Sequence, residues 1–211
     1  VYPTAAKTER IADGAVHAVG VLAAVSGAVI MMWQYSGLAS SAQLTALAIY
    51  SATLIATFVA SAAYHLLPWH GVRPLLRRID HAAIYLKIAG TYTPLVVMIG
   101  STFAYVILVV VWTLAVIGIA VKVFFWDKRG PFGTVLYLTM GWLSVGLISS
   151  IWPIVPGSVV ALIAIGGLTY TAGVIFYTSE RKFTTAIWHG FVVAASGCFW
   201  AAITIGAMAT I

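Results

Sequence analysis

Of the 211 residues, 62% are apolar and only 16 are charged, 11 basic and 5 acidic, for a net charge of +6. A soluble domain of this length carries roughly 53 charges at the usual ~25%, so the composition excludes a soluble globular protein, a disordered chain and a coiled coil. The single cysteine, Cys198, excludes a disulfide scaffold, and the thin spread of basic residues is no nucleic-acid signature, so no nucleic-acid partner is expected.

Seven hydrophobic segments follow one another at about 11–34, 43–67, 79–99, 102–125, 132–151, 157–177 and 186–208. A spanning helix takes about 20 apolar residues, so seven of them use most of the chain and leave room only for short loops. The expected architecture is therefore all-α, a single transmembrane domain of seven helices over 1–211. The first segment is too long, and too polar at its start (Asp13, His17), for a cleaved signal peptide. Pro94 should bend the third helix in its outer half. Gly166, Gly167 and Gly173 should allow close helix approach in the sixth.

The connections alternate in charge. Tyr35–Ala42, Gly100–Ser101 and Trp152–Pro156 hold no charged residue. Lys7 and Arg10, then Arg73, Arg77 and Arg78, then Lys122, Lys128 and Arg129, then Arg181 and Lys182 mark every second connection, which is 10 of the 11 basic residues. The positive-inside rule then predicts a cytoplasmic N-terminus and an outer C-terminus for a multi-pass membrane protein.

Ionisable groups inside spanning helices need a reason, because they are costly there. With this topology His65 lies about 3 Å and His189 about 5 Å inside the cytoplasmic boundary, at about 1.5 Å per residue. Asp80 starts the third segment at the same level, and Ser61 is one turn below His65 on the same face. Two imidazoles and a carboxylate at one level suggest a metal site, since neutral imidazole and carboxylate suit Zn²⁺. The alternative is a pair of interfacial histidines touching lipid headgroups. Neither HxxxH nor HExxH is present. Asp13 and Glu9 are read as caps of the first helix, where carboxylates suit the N-terminal dipole; the alternative is a cytoplasmic cap of the site. His17 is either a member of the site or a satisfied core group. His81 points about 100° from Asp80 and should touch a neighbouring helix. His70 and the charge clusters Asp127–Arg129 and Glu180–Lys182 read as surface.

Several of these stretches together resemble a known family. Ser61-Ala-Ala-Tyr-His65 ends the second helix, Arg78-Ile-Asp80-His81-Ala-Ala-Ile84 opens the third, Gly90-Thr-Tyr-Thr-Pro94 follows, and Ala186-Ile-Trp-His189 opens the seventh. With Glu9–Gly20 and Tyr137–Trp142 they are similar to the hemolysin III proteins, the bacterial branch of the progestin and adiponectin receptor superfamily. The resemblance implies seven helices with a cytoplasmic N-terminus, in a bacterial inner (plasma) membrane. It also implies a zinc ion held by one histidine of the second helix and two of the seventh, with a serine and an aspartate close by. On this chain His65 and His189 match two of the ligands, and Ser61 and Asp80 match the supporting groups. The superfamily includes ceramidases, which implies lipid amide hydrolysis as a chemistry.

The chain departs from that pattern in three places. The first histidine of the seventh-helix pair falls at Thr185, a later one falls at Phe199, and Lys87 stands where the family commonly has leucine. Either zinc is held by His65, His189 and Asp80, or no zinc is bound and Lys87 supplies positive charge near Asp80 or faces a water-filled cavity. The leading expectation is a lipid-sensing or membrane-homeostasis protein with membrane lipid as partner and an acyl chain as ligand in the bundle. The alternative is a zinc-dependent hydrolase of a lipid amide or ester, with Asp80 and Ser61 as catalytic groups. A pore-forming cytolysin, which the family name suggests, is disfavoured because no helix carries a continuous polar stripe.

Overall fold

The computed structural model describes residues 6–125, 132–179 and 181–211. The basic residues Lys128 and Arg129, the cluster Asp127–Arg129 and Glu180 lie outside the described residues. Those described form helices and loops only, and seven stretches are long and apolar enough to cross a membrane. The fold is the all-helical seven-span membrane bundle that the composition implies.

The first span is α1 (Lys7–Tyr35), and the second is α2 (Ser41–Leu66). A 3₁₀ turn at His70–Val72 leads into α3 (Arg73–Ile99), and α4 (Thr102–Phe124) follows. The fifth span is composite: α5 (Phe132–Trp142), a 3₁₀ segment at Leu143–Leu147, and a short α6 (Ile148–Ile151). The last two spans are α7 (Gly157–Tyr177) and α8 (Thr184–Ala209).

Helix ends follow local chemistry. Glu9 accepts the Ala6 N–H at 3.2 Å, closing the first turn of α1 as expected of a capping carboxylate. Ser40 and Gln43 form a reciprocal capping box before α2, and the Ser101 hydroxyl accepts from the Ala104 N–H at 3.2 Å to start α4. Gly100 ends α3 in the left-handed region at φ 66°, which costs glycine little. Phe183 sits there too, at φ 62°, without that freedom. Its N–H donates to Glu9 Oε1 at 2.7 Å, which ties the entry of α8 to the start of α1.

Two boundaries differ from the hydrophobic pattern. α3 begins at Arg73 rather than near 79, because Pro74 in the first turn suits a helix start while Arg77 and Arg78 hide that turn from an apolarity count. The fifth span is broken because its carbonyls find other donors. The Tyr92 hydroxyl lies 2.7 Å from Met140 O and 3.1 Å from Gly141 O, and Ser144 Oγ donates to Gly141 O at 2.8 Å.

α3 is the central element. Of its most apolar stretch 72% is buried, against 22–50% in the other spans. It packs against α2 and α4 and reaches α5, α6 and α8. Small residues make this possible. A Cβ on Gly90 would stand 1.9 Å from Thr53 Oγ1 of α2, and one on Gly118 of α4 would stand 2.8 Å from the Tyr85 ring. The layer formed by Tyr85, Ala89, Tyr92 and Val96 against Val111 and Ala115 holds α3 and α4 together. α1, α2 and α8 meet around Met31, Tyr35, Leu54, Phe58 and Ile203. This second group leaves the N-terminal end of α1, the C-terminal end of α2 and the N-terminal end of α8 facing one another.

Candidate metal centre

Asp13 and His17 are four residues apart on α1, so they share a face. That face is buried against α2 and α8, and the two side chains meet polar groups from both. Asp13 Oδ1 accepts from His189 Nδ1 at 2.7 Å. Asp13 Oδ2 is 3.3 Å from His65 Nδ1, and Asp13 Oδ1 is 3.5 Å from His17 Nδ1. The carboxylate thus lies among three imidazoles on three helices. The rings themselves pack: centroids are 4.2 Å apart for His17 and His189, 4.6 Å for His65 and His189, and 5.1 Å for His17 and His65.

Each of Asp13, His17, His65 and His189 offers a ligand atom, and these atoms all lie within 4.8 Å of one another. Three imidazoles and a carboxylate are a donor set that suits zinc. His17 has a polar contact at each ring nitrogen. His17 Nδ1 contacts Asp13 O at 2.8 Å and His17 Nε2 contacts Ser61 Oγ at 3.1 Å. An ion would replace one of these contacts, and the other would set the tautomer and ring direction of His17. A buried carboxylate beside three imidazoles also avoids the cost of an isolated buried charge.

Among the residues singled out from the sequence, His65 and His189 are brought together, with Ser61 one turn below on α2 and in contact with His17. Asp80 stands at the edge, with Oδ2 3.9 Å from His65 Nε2 and 3.6 Å from His81 Nδ1, and it is outside the group of four donors. His81 turns to Arg77 O at 2.8 Å and to the Tyr177 ring on α7, 6.4 Å away between centroids. Thr185 lines the same cavity one turn before His189. Asp13 is the residue that sequence reasoning read first as a helix cap and only second as a cover of the site, never as a donor within it. The signal that could have found it is its spacing from His17, since a carboxylate and an imidazole four apart on one helix face can act on one partner.

Lys87 is not a partner of Asp80. Among the described residues no ion pair reaches it, and its Nζ donates to the Tyr170 hydroxyl and to Ser196 Oγ, the latter at 2.5 Å. The rings of Phe58 and Tyr170 each lie 5.0 Å from the ammonium. Hydroxyls on α7 and α8 were closer than a carboxylate two turns away along α3.

The four donors open into a cavity of about 1620 Å³ at one end of the bundle. Its deeper walls are apolar, with Phe58, Ile84, Phe176, Trp188, Val192 and Val193, and its mouth carries charged residues from α1, α3 and the segment before α8.

Comparison with known proteins yields a consistent set. The family described as "Haemolysin-III related" matches residues 6–200. A "Hemolysin-3 homolog" of Bacillus subtilis (strain 168) is 32% identical over 194 residues, covering 91% of each chain. "Hemolysin-3" of Bacillus cereus is 32% identical over 190 residues, covering 89% of this chain and 87% of that protein. The human "Monocyte to macrophage differentiation factor" is 29% identical over 168 residues, covering 74% of this chain and 67% of its own length.

Proposed function

Because the chain belongs to the haemolysin-III related family of multi-pass membrane proteins, we propose that it is a metal-dependent lipid sensor of the bacterial inner membrane. The observation that carries this reading is the donor set: Asp13 and His17 on α1, His65 on α2 and His189 on α8, within 4.8 Å of one another. Four protein donors satisfy a tetrahedral ion and leave no position for water, which is the closed arrangement of a structural site. When bound, zinc would supply a fixed junction between three helices. The residues around it do the sensing: the apolar walls below the mouth, Phe58, Ile84, Phe176, Trp188, Val192 and Val193, accept an acyl chain beside that junction. Membrane lipid is the partner, and nucleic acid is not.

A second reading is favoured by one bond. Asp13 holds the Nδ1 side of His189 at 2.7 Å, the carboxylate–histidine pairing that orients a metal ligand without itself binding. The three imidazoles would then hold zinc with an open position that supplies Lewis acidity. Ser61, and Asp80 beside His65, would serve a lipid amide or ester as hydrogen-bonding and proton-handling groups. Zinc X-ray absorption on the purified protein separates the two. Four protein donors and no hydrolysis of a short-chain ceramide or ester support the sensor. Three imidazoles with turnover support the hydrolase. Absence of stoichiometric zinc in protein purified without chelator overturns both.

The orientation proposed with this function places the N-terminus and the cavity in the cytoplasm, on the strength of the alternating basic connections. With Cys198 replaced by alanine, a cysteine at Gly71 is expected to resist an impermeant maleimide in intact cells, while one at Ser36 reacts. Both positions are exposed, Gly71 in the 3₁₀ turn before α3 and Ser36 in the turn after α1. The opposite pattern inverts the topology.

A further inference from the structure

The cavity above the four donors is ringed by cations on three sides. α1 contributes Lys7 and Arg10, and α3 contributes Arg73, Arg77 and Arg78. The segment before α8 adds Arg181 and Lys182. Among the described residues, Glu9, Asp13 and Asp80 also line the cavity. Both oxygens of Glu9 accept backbone N–H groups, from Ala6 and Phe183. Asp13 and Asp80 lie deeper, against imidazoles. Positive-inside topology requires basic residues at this end of the bundle but not that they face one concavity. Here they do, and two are held against its wall. Arg73 donates to Leu67 O at 3.4 Å and lies over the Tyr64 ring at 5.1 Å, and Arg78 donates to Val123 O at 2.9 Å. Most of the ring is arginine, whose planar fork matches the oxygens of phosphate better than a point charge does.

We propose that this mouth binds a phosphate group, carried on an apolar body that occupies the deeper wall of Phe58, Ile84, Trp188 and Val193. A phospholipid provides both parts. Its phosphate meets the arginines at the headgroup level, and its acyl portion enters beside the histidine cluster. The inference deepens the proposed lipid site and rests on reading the cavity as the place where lipid is sensed. A soluble phosphate compound shares the head chemistry but not the apolar body.

Calorimetric titration of the purified full chain in neutral detergent tests it. Three probes are used: a short-chain phosphatidic acid, the matching diacylglycerol without phosphate, and inorganic phosphate. The phosphatidic acid is expected to bind at least about tenfold more tightly than either of the others, and less tightly as salt rises. Arg77→Gln with Arg181→Gln is expected to weaken it by about tenfold or more. Lys122→Gln removes a basic residue that does not line the cavity and is expected to leave binding unchanged. Equal binding of the phosphatidic acid and the diacylglycerol, or an unchanged double variant, overturns the proposal. Inorganic phosphate binding as tightly as the lipid overturns the lipid source. Zinc content measured on the same samples keeps the two readings apart: phosphate binding without zinc defeats only the metal centre, and zinc without phosphate selectivity defeats only this inference.

Discussion

Asp13→Ala is expected to lower zinc affinity by about 10–100-fold if the carboxylate only orients the imidazoles, and further if it binds the ion directly. The reason is its place among the rings: it holds His189 Nδ1 at 2.7 Å and His65 Nδ1 at 3.3 Å, and its backbone oxygen meets His17 Nδ1 at 2.8 Å. Truncation removes the carboxylate contacts to all three imidazoles while leaving the α1 backbone in place. Asp80→Asn is the contrast, because of the three clustered imidazoles Asp80 approaches only that of His65, at 3.9 Å, and its zinc content is expected to stay near the parent's. The measurement is elemental analysis after equilibration against a zinc buffer, on protein shown to be monodisperse. Loss of zinc in Asp80→Asn with retention in Asp13→Ala would assign the carboxylate ligand to α3 rather than to α1, as the sequence alone suggested.

Gly90→Ala is expected to destabilise the bundle more than a typical surface change, at or above the upper part of the about 1–3 kcal/mol usual for overpacking. The new Cβ would fall 1.9 Å from Thr53 Oγ1 and 2.8 Å from Thr53 Cβ. Threonine cannot swing aside easily. It is β-branched, and its hydroxyl is already bonded to Tyr50 O at 2.9 Å. α2 and α3 must therefore separate, at the most buried helix of the structure. A lower midpoint in an SDS unfolding titration checks this. Combining Gly90→Ala with Thr53→Ala is expected to recover part of the loss, because Oγ1 is removed but the helix separation set by Cβ is not. A midpoint equal to the parent's in the single variant would show that the two helices are not this close.

The seven spans were legible because length and apolarity decide them and few charges interrupt. Their polar ends were not. α3 begins a turn and a half before its apolar stretch, since Arg77 and Arg78 are helical yet read as loop. The composite fifth span was hidden for another reason: the donor that disturbs it, Tyr92, belongs to α3 and cannot be paired with Met140 without coordinates. In the site, the matched depth of His65 and His189 came from topology, and the two rings do pack at 4.6 Å. Asp13 was obscured by having an ordinary explanation, because a carboxylate near a helix start is normally a cap. Glu9 takes that role here, which leaves Asp13 free to turn inward. The partners of Lys87 were out of reach for a physical reason as well. α7 and α8 are apolar nearly all round, so no hydrophobic face fixes their rotation or shows that Tyr170 and Ser196 point towards α3.

The bond from His189 to Asp13 joins residues separated by 176 positions, and the link from Phe183 to Glu9 spans 174. Both connect α1 to the last of the seven spans, α8 or the segment that enters it. Chains grow from the N-terminus, so the imidazole–carboxylate cluster cannot exist on a nascent or truncated polypeptide, however well its earlier helices have inserted. Until α8 arrives, Asp13, His17 and His65 form an incomplete set. Closure of so long a loop is a late and entropically costly event. Acquisition of metal would therefore wait for α8, and a protein cut short after α7 would be left without the contact that joins α8 to α1.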